Sequence, residues 1–162
     1  MIIVLFPAYN EEQSFPPLME KLEKVLDQTS QKFKVLVCND GSTDRTSEVL
    51  LEYSTKLPIE IIEHSINRGL GESSRDLFER AVQIGKEGDV IIRMDCDDTH
   101  EPKYIPDIIR KLEQGYDVVV ASRFEKGGGQ MGVNGFRAFI SRGANLFMKL
   151  FFPIKGLREY SC

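Results

Sequence analysis

Short apolar runs alternate along this chain with longer segments whose apolar positions recur every three or four residues. Each run is about six residues long, which is typical of a β-strand, whereas the longer segments have the period of an α-helix. The predicted strands cover residues 1–6, 33–38, 59–64, 89–94 and 117–122. The predicted helices cover residues 12–27, 43–53, a segment opening at 69–71, 102–115 and 134–152.

This regular alternation predicts an α/β fold. A helix between two strands makes a crossover connection, so the strands lie mostly parallel and the helices cover both faces of the sheet. In such Rossmann-like sheets, ligands bind outside the carboxyl ends of the strands.

Polar residues cluster where the predicted strands end. Tyr9 and Glu11 follow the first strand and Asp40 follows the second. An aromatic ring at this edge can stack on a base or ribose, and carboxylates can accept hydrogen bonds from base nitrogens or ribose hydroxyls. The pattern predicts a site for a nucleoside diphosphate. It lacks the lysine of a Walker loop and the glycine fingerprint of a dinucleotide fold.

The fourth strand ends in the acidic segment Asp95-Cys96-Asp97, followed by Asp98 and Thr99. Two carboxylates leaving a buried strand need charge compensation. Mg²⁺ or Mn²⁺ would supply it and would leave coordination positions open for phosphate oxygens. Asp-rich turns also cap helices, so the segment taken alone leaves both interpretations open.

Composition narrows the class of protein. The 162 residues suffice for one domain, and 41% hydrophobic and 28% charged residues are typical of a globular protein. A net charge of −4 argues against nucleic acid as a partner. The three widely spaced cysteines indicate free thiols in a reducing compartment. The apolar start lacks the basic residues and cleavage site of a signal peptide, and no run is long enough to span a membrane.

Five motifs in register resemble family 2 glycosyltransferases of the GT-A fold, and within them the polyprenyl-phosphate (dolichyl-phosphate) mannosyl- and glucosyltransferases. The resemblance covers essentially the whole chain. The motifs are Pro7-Ala8-Tyr9-Asn10-Glu11, Asn39-Asp40-Gly41-Ser42-Thr43-Asp44, Asn67-Arg68-Gly69-Leu70-Gly71, the Asp-x-Asp (DXD) segment Asp95-Cys96-Asp97 with Pro102, and Val119-Val120-Ala121-Ser122-Arg123-Phe124 followed by Lys126-Gly127-Gly128.

The resemblance implies a donor site for a nucleotide sugar, GDP-mannose or UDP-glucose. It assigns nucleoside contacts to four residues and adds the peptide group of Cys96, while Asp95 and Asp97 would hold the donor and the metal. The nucleoside residues are Pro7, Tyr9, Glu11 and Asp40. Thr99 stands where relatives often carry a glutamine as a further metal ligand, and its shorter reach makes it a weaker one.

The resemblance also implies a phosphate-binding set on the acceptor side, formed by Arg123, Arg137 and Ser141. Arg137 and Ser141 are four residues apart, so they share a helix face and their donors can converge on one anion. Arginine suits phosphate because it can donate two hydrogen bonds at once. With Asp95 and Asp97, Arg123 is expected to take part in catalysis.

The expected function is therefore metal-dependent, inverting transfer of a hexose to a polyprenyl (dolichyl or undecaprenyl) phosphate. The enzyme would be cytoplasmic and peripheral at the cytosolic face of a membrane. Residues 1–122 would form the nucleotide-sugar part, and residues 123–162 an acceptor-side loop and amphipathic helix of an apparently truncated domain. Two alternatives remain: transfer to a saccharide hydroxyl, which needs a protein base, or nucleotide-sugar binding without turnover.

Three further features keep two interpretations each. The helix 134–152 carries an apolar stripe with basic residues beside it, which fits either a membrane interface or a core-facing helix. The glycine run 127–129 is either a closing loop or a linker. His64 and His100 are candidate acid–base groups, but a lone histidine is more often a surface or packing residue.

Overall fold

The computed structural model describes residues 1–29, 31–97, 100–122 and 135–152. Strands and helices alternate through most of this length, as predicted. The elements are β1 Ile2–Ala8, α1 Phe15–Leu26, β2 Phe33–Asp40, α2 Thr46–Ser54, β3 Ile59–His64, α3 Leu70–Ile84, β4 Val90–Arg93, a 3-10 turn Pro102–Tyr104, α4 Ile105–Leu112 and α5 Gly135–Phe151.

The four strands form one parallel sheet in the order β3-β2-β1-β4. The central strand β1 pairs with β2 on one side, where Val4 lies opposite Val35, and with β4 on the other, where Val4 lies opposite Ile92. The chain order changes direction at β1, because β2 and β3 extend to one side and β4 to the other. A ligand cleft is expected at such a switch point.

Helices cover both faces of the sheet, which confirms the predicted α/β fold class. Side chains in a strand alternate between faces, so Val4 packs towards α1 whereas its neighbours Ile3 and Leu5 pack towards α3. The α3 face is closed by Leu77 and Ala81. The other face is larger and includes Phe6, Phe15, Leu18, Leu22, Val35, Val37, Leu50, Ile105 and Ile109.

The predicted fifth strand is wrong. Residues 117–122 are described and form no strand, and the side chains of Val118 and Val120 are 77% and 44% exposed. Their apolar run has the composition of a strand, but a strand also needs a neighbouring backbone to pair with. Among the described residues, the strands β1 to β4 pair only with one another.

The chain consists of two compact units, Met1–Ile109 and Arg110–Cys162. The first contains the whole sheet with α1, α2 and α3. In the second, α5 leaves several apolar side chains exposed, and the rings of Phe147 and Phe151 lie 4.4 Å apart. None of the helices in the described ranges combines the length and the apolar content that crossing a bilayer requires.

Candidate active site

A cavity of about 320 Å³ lies at the carboxyl ends of the strands, within the first unit. It has the position predicted for a ligand site, and its lining comes from the ends of β1 and β2 and from the segments that follow β1, β3 and β4. The lining residues are Pro7, Ala8, Tyr9, Glu11, Asp40, Asn67, Gly69, Leu70, Ser73, Asp95, Cys96 and Asp97. A second, shallower cavity of about 430 Å³ lies beside the start of β2 and brings together only Asp27 and Lys32 as charged groups.

The loops after β1 and β2 hold each other in place. The backbone N–H of Asn10 donates to Ser42 Oγ at 3.0 Å, and the N–H of Thr43 donates back to Asn10 Oδ1 at 2.8 Å. Asn10 has a φ of +57°, a left-handed conformation that asparagine adopts more readily than most residues. The N–H of Glu11 donates to Thr46 Oγ1 at 2.8 Å. These bonds fix the positions of Tyr9 and Glu11 at the cavity.

Asn39 lies beneath these loops rather than in the cavity. Its side chain is buried, and its amide nitrogen donates to Ser47 Oγ at 2.7 Å and to Glu63 Oε2 at 2.9 Å. Its amide oxygen accepts from the hydroxyl of Ser42 at 2.5 Å. An asparagine suits this position because it can donate to the Glu63 carboxylate, which an aspartate would repel.

Asp40 holds the loop that follows β3. Its Oδ1 accepts the N–H of Arg68 at 2.9 Å, and its Oδ2 accepts the N–H of Gly69 at 2.8 Å. Burial alone would raise the pKa of Asp40, but these hydrogen bonds and that from His64 outweigh it, so the pKa is lowered. A carboxylate has about four acceptor positions. Arg68, Gly69 and His64 occupy three of them, so one acceptor position of Asp40 remains for a ligand in the cavity.

The acidic segment after β4 is anchored at Asp95. Arg93 donates from Nη2 to Asp95 Oδ1 at 2.6 Å, and the N–H of Asp95 donates to His100 Nδ1 at 2.8 Å. The Cys96 thiol is buried, and burial with three neighbouring carboxylates raises its pKa, so it stays protonated and unreactive. Its expected role was through the peptide group, which does not need a reactive thiol.

Several carboxylates lie close together around this segment and repel one another. Burial raises the pKa of Glu11, opposed by a hydrogen bond from Ser14, and the charges of Asp97, Asp44 and Asp95 raise it further. A divalent cation fits such a set, because its charge offsets this repulsion and its ligands are oxygens. The described residues contain no group of three or more His, Cys, Asp and Glu placed to hold a metal alone.

The structure brings all six predicted donor residues and Asp97 into this one cavity. Thr99 and Arg123 lie outside the described residues. Arg137 and Ser141 lie four residues apart on α5 as expected, although the side chain of Arg137 also lies outside the described part.

The contacts of three residues in the site region were not predicted. Arg93 pairs with Asp95, and Arg68 reaches Glu72 and Asp76 on α3 at 2.9 and 3.0 Å. His64, which the sequence offered as an acid–base group or as a surface or packing residue, is buried between two carboxylates, Asp40 and Asp76. Its place at the end of β3 was the available signal, because every other strand end supplies a polar residue to the same edge.

Solved structures with the same fold confirm the architecture. The chain superimposes on TarS from S. aureus with a TM-score of 0.57 at 22% identity, covering 83% of this chain and 23% of TarS. A mycobacterial protein of known structure gives a TM-score of 0.61 at 18% identity, covering 98% of this chain and 50% of that protein. At these identities the likeness shows the fold alone.

Sequence relatives are more informative. The chain is 31% identical over 152 residues to the dolichol-phosphate mannosyltransferase of Pyrococcus furiosus, covering 94% of this chain and 41% of the relative. It is 34% identical over 125 residues to the undecaprenyl-phosphate 4-deoxy-4-formamido-L-arabinose transferase of Photorhabdus laumondii, covering 75% of this chain and 37% of the relative. The chain thus spans about two fifths of the length of these relatives. Residues 3–155 match the family model described as glycosyl transferase family 2, and the chain belongs to that family.

Proposed function

We propose that this chain binds a nucleotide diphosphate sugar in the strand-end cavity and belongs to an inverting glycosyltransferase whose acceptor is a polyprenyl phosphate. The observation that carries the proposal is the convergence of Tyr9, Glu11 and Asp40 with Asp95 and Asp97 on one cavity. The first three suit a nucleoside, and the last two suit a diphosphate with its cation. No single strand end would support this assignment.

On the donor side, the chain supplies a stacking ring and fixed acceptors. Tyr9 is 46% exposed at the cavity and free to stack on a base or ribose. The remaining acceptor position of Asp40 and the carboxylate of Glu11 are available to base or ribose donors. Mg²⁺ or Mn²⁺ held by Asp95 and Asp97, with Thr99 as a further ligand, would stabilise the charge on the departing nucleoside diphosphate.

On the acceptor side, a phosphate nucleophile removes the need for a protein base. A phosphate monoester has a second pKa near 6, so it is mainly dianionic at neutral pH and can attack the anomeric carbon directly from the face opposite the nucleotide. We assign Arg123, Arg137 and Ser141 to hold that phosphate. Two of the relatives are named for transfer involving a dolichol phosphate and an undecaprenyl phosphate, which supports this acceptor class over a saccharide hydroxyl.

We also propose peripheral contact of α5 with a membrane surface, since a polyprenyl phosphate resides in a bilayer. Ile140, Leu146, Phe147, Leu150 and Phe151 are each more than half exposed, and Lys149 lies among them. An amphipathic helix with an exposed apolar side and basic residues binds at the lipid headgroup boundary.

The decisive experiment incubates the protein with Mn²⁺ and a panel of labelled nucleotide sugars, including GDP-mannose and UDP-glucose, with and without polyprenyl phosphate. Transfer that requires the lipid phosphate supports the proposal, and transfer to a saccharide instead supports the hydroxyl-acceptor alternative. Calorimetry run in parallel separates the third case, in which the donor binds with metal but no sugar moves. Absence of both transfer and donor binding would sink the proposal.

A further inference from the structure

His64, which the site described above does not use directly, lies at the end of β3 with both ring nitrogens facing carboxylates. Its side chain is 4% exposed. Nδ1 lies 2.6 Å from Asp40 Oδ1, and Nε2 lies 2.9 Å from Asp76 Oδ2 on α3. The ring therefore bridges β2, whose last residue Asp40 lines the cavity, and α3, whose first residue Leu70 also lines it.

A neutral imidazole cannot satisfy both contacts, because it has one N–H and each carboxylate requires a donor. The doubly protonated ring satisfies both. The neutral ring with its proton on Nδ1 keeps the Asp40 bond but turns an unprotonated Nε2 towards Asp76. In that form, Nε2 can accept only from Arg68 Nη1, 3.3 Å away, or weakly from the Cys38 thiol, whose Sγ lies 3.5 Å away.

The groups around the ring favour the charged form. Asp40 and Asp76 carry negative charge, whereas Arg68 opposes a second positive charge and itself pairs with Asp76 and Glu72. Cys38 Sγ lies 3.5 Å from Nε2, and burial raises the pKa of that thiol to about 11, so it stays neutral. Burial would lower the pKa of His64, but the hydrogen bonds to Asp40 and Asp76 raise it above its ordinary value.

The bridge acts on the cavity through Asp40. That carboxylate also accepts the N–H groups of Arg68 and Gly69, and the same loop contributes Asn67, Gly69 and Leu70 to the cavity wall. A shift of Asp40 relative to α3 would therefore move one wall of the site.

We propose that His64 is a positioning residue whose doubly protonated ring ties Asp40 to Asp76 and so fixes the β3–α3 loop in the form that receives the nucleotide. The nucleotide part of this statement rests on the proposed function, whereas the bridge itself does not. Loss of the ring proton removes the His64 link between Asp40 and Asp76, and nucleotide affinity falls.

The bridge is tested without any ligand by NMR titration of the two histidine rings, with His100→Gln used to assign them. We expect His64 to titrate above its usual pKa and the backbone amides of Arg68 and Gly69 to shift with the same midpoint. Asp76→Asn should lower that midpoint by about one unit or more, the usual effect of losing an adjacent opposite charge. Glu79→Gln, an exposed change on the same helix, should leave it unchanged.

The consequence for the site is tested by calorimetry with GDP and UDP in the presence of Mn²⁺ from pH 5.5 to 8.5. Wild-type affinity should fall by about fivefold or more across the His64 midpoint, within the usual range of coupling between two sites. In Asp76→Asn the fall should move to lower pH, and in folded His64→Gln it should disappear. A normal His64 midpoint that Asp76→Asn does not move, or a fall in affinity with rising pH that persists in His64→Gln, would overturn the inference. If neither nucleotide binds wild type at any pH, the donor proposal fails, while the ring and amide titrations still decide the bridge.

Discussion

Gly41 packs so closely against Ile66 that a Cβ at Gly41 would stand 2.4 Å from the carbonyl carbon of Ile66. It would also stand 2.5 Å from the backbone nitrogen of Asn67, and Gly41 has a φ of +66°. The loop after β2 and the loop after β3 thus meet backbone to backbone beneath the cavity. Only glycine allows both this approach and this conformation.

Gly41→Ala should destabilise the protein by about 2 to 4 kcal/mol, from left-handed strain together with an overpacked contact that only backbone movement can relieve. Chemical denaturation measures the free energy of unfolding. Gly71→Ala is the matched control, because its Cβ would meet no atom within 4 Å and it lies inside α3. Alanine there should be neutral or stabilising by about 1 kcal/mol. Equal losses in both variants would contradict the packing argument.

Asn39→Asp should destabilise the protein by about 1 to 3 kcal/mol at neutral pH, since a buried donor is lost and a carboxylate faces Glu63. The measurement is a double-mutant cycle with Glu63→Gln, which restores a donor opposite residue 39. The double variant should recover part of the loss, and Glu63→Gln alone should change stability less. Additive effects would show that the Asn39–Glu63 contact does not contribute to the free energy of unfolding.

Glu11→Gln should make the protein more stable at neutral pH in the absence of divalent cations. Burial and the nearby carboxylates raise the folded-state pKa of Glu11, so its charged form opposes folding at any pH above its ordinary value of 4.5. The gain should shrink as pH falls below 4.5, where Glu11 is protonated in both states. Thermal unfolding across pH follows the effect. Glu20→Gln, an exposed change on α1, should give no such pattern.

Asp97→Asn should weaken Mn²⁺-dependent binding of GDP or UDP by at least about tenfold, the loss usual even for groups that only support a metal ligand. Binding is measured by calorimetry with and without Mn²⁺. The exposed Glu87, after α3, supplies a control of equal charge change in Glu87→Gln. If the Asp97→Asn protein binds the nucleotide as well as wild type does and still responds to Mn²⁺, Asp97 does not contribute to the metal site.

Replacing Phe147 and Phe151 with serine should reduce binding to vesicles of phosphatidylcholine and phosphatidylglycerol by about tenfold or more, because two large apolar side chains leave the interface. Flotation measures the bound fraction. Leu51→Ser on α2 is the control, since Leu51 is 64% exposed and Phe151 is 63% exposed. An equal reduction by Leu51→Ser would show that general surface hydrophobicity, not α5, governs binding.

The residues of the cavity were predictable because topology decides them. Once strands and helices alternate, crossover connections make the strands parallel, and every strand delivers its carboxyl end to the same edge. Tyr9, Glu11, Asp40, Asp95 and Asp97 follow those ends in the sequence, so they meet whatever the details of packing. The same periodicity wrongly predicted a strand at residues 117–122. It indicates which residues can form a strand, but not whether a partner strand lies beside them.

The sequence by itself determined the α/β class, the strand-end cavity and the membership of family 2. Those properties depend on local periodicity and on the order of motifs. Only the tertiary structure decided that His64 bridges Asp40 and Asp76, that Asn39 faces Glu63, and that Gly41 meets the backbone of Ile66. These partners are 12 to 25 residues apart along the chain. They meet because of the register between β2 and β3 and the packing of α3 against the sheet. A pattern of apolar and polar positions does not contain that information, because it has no distances between segments.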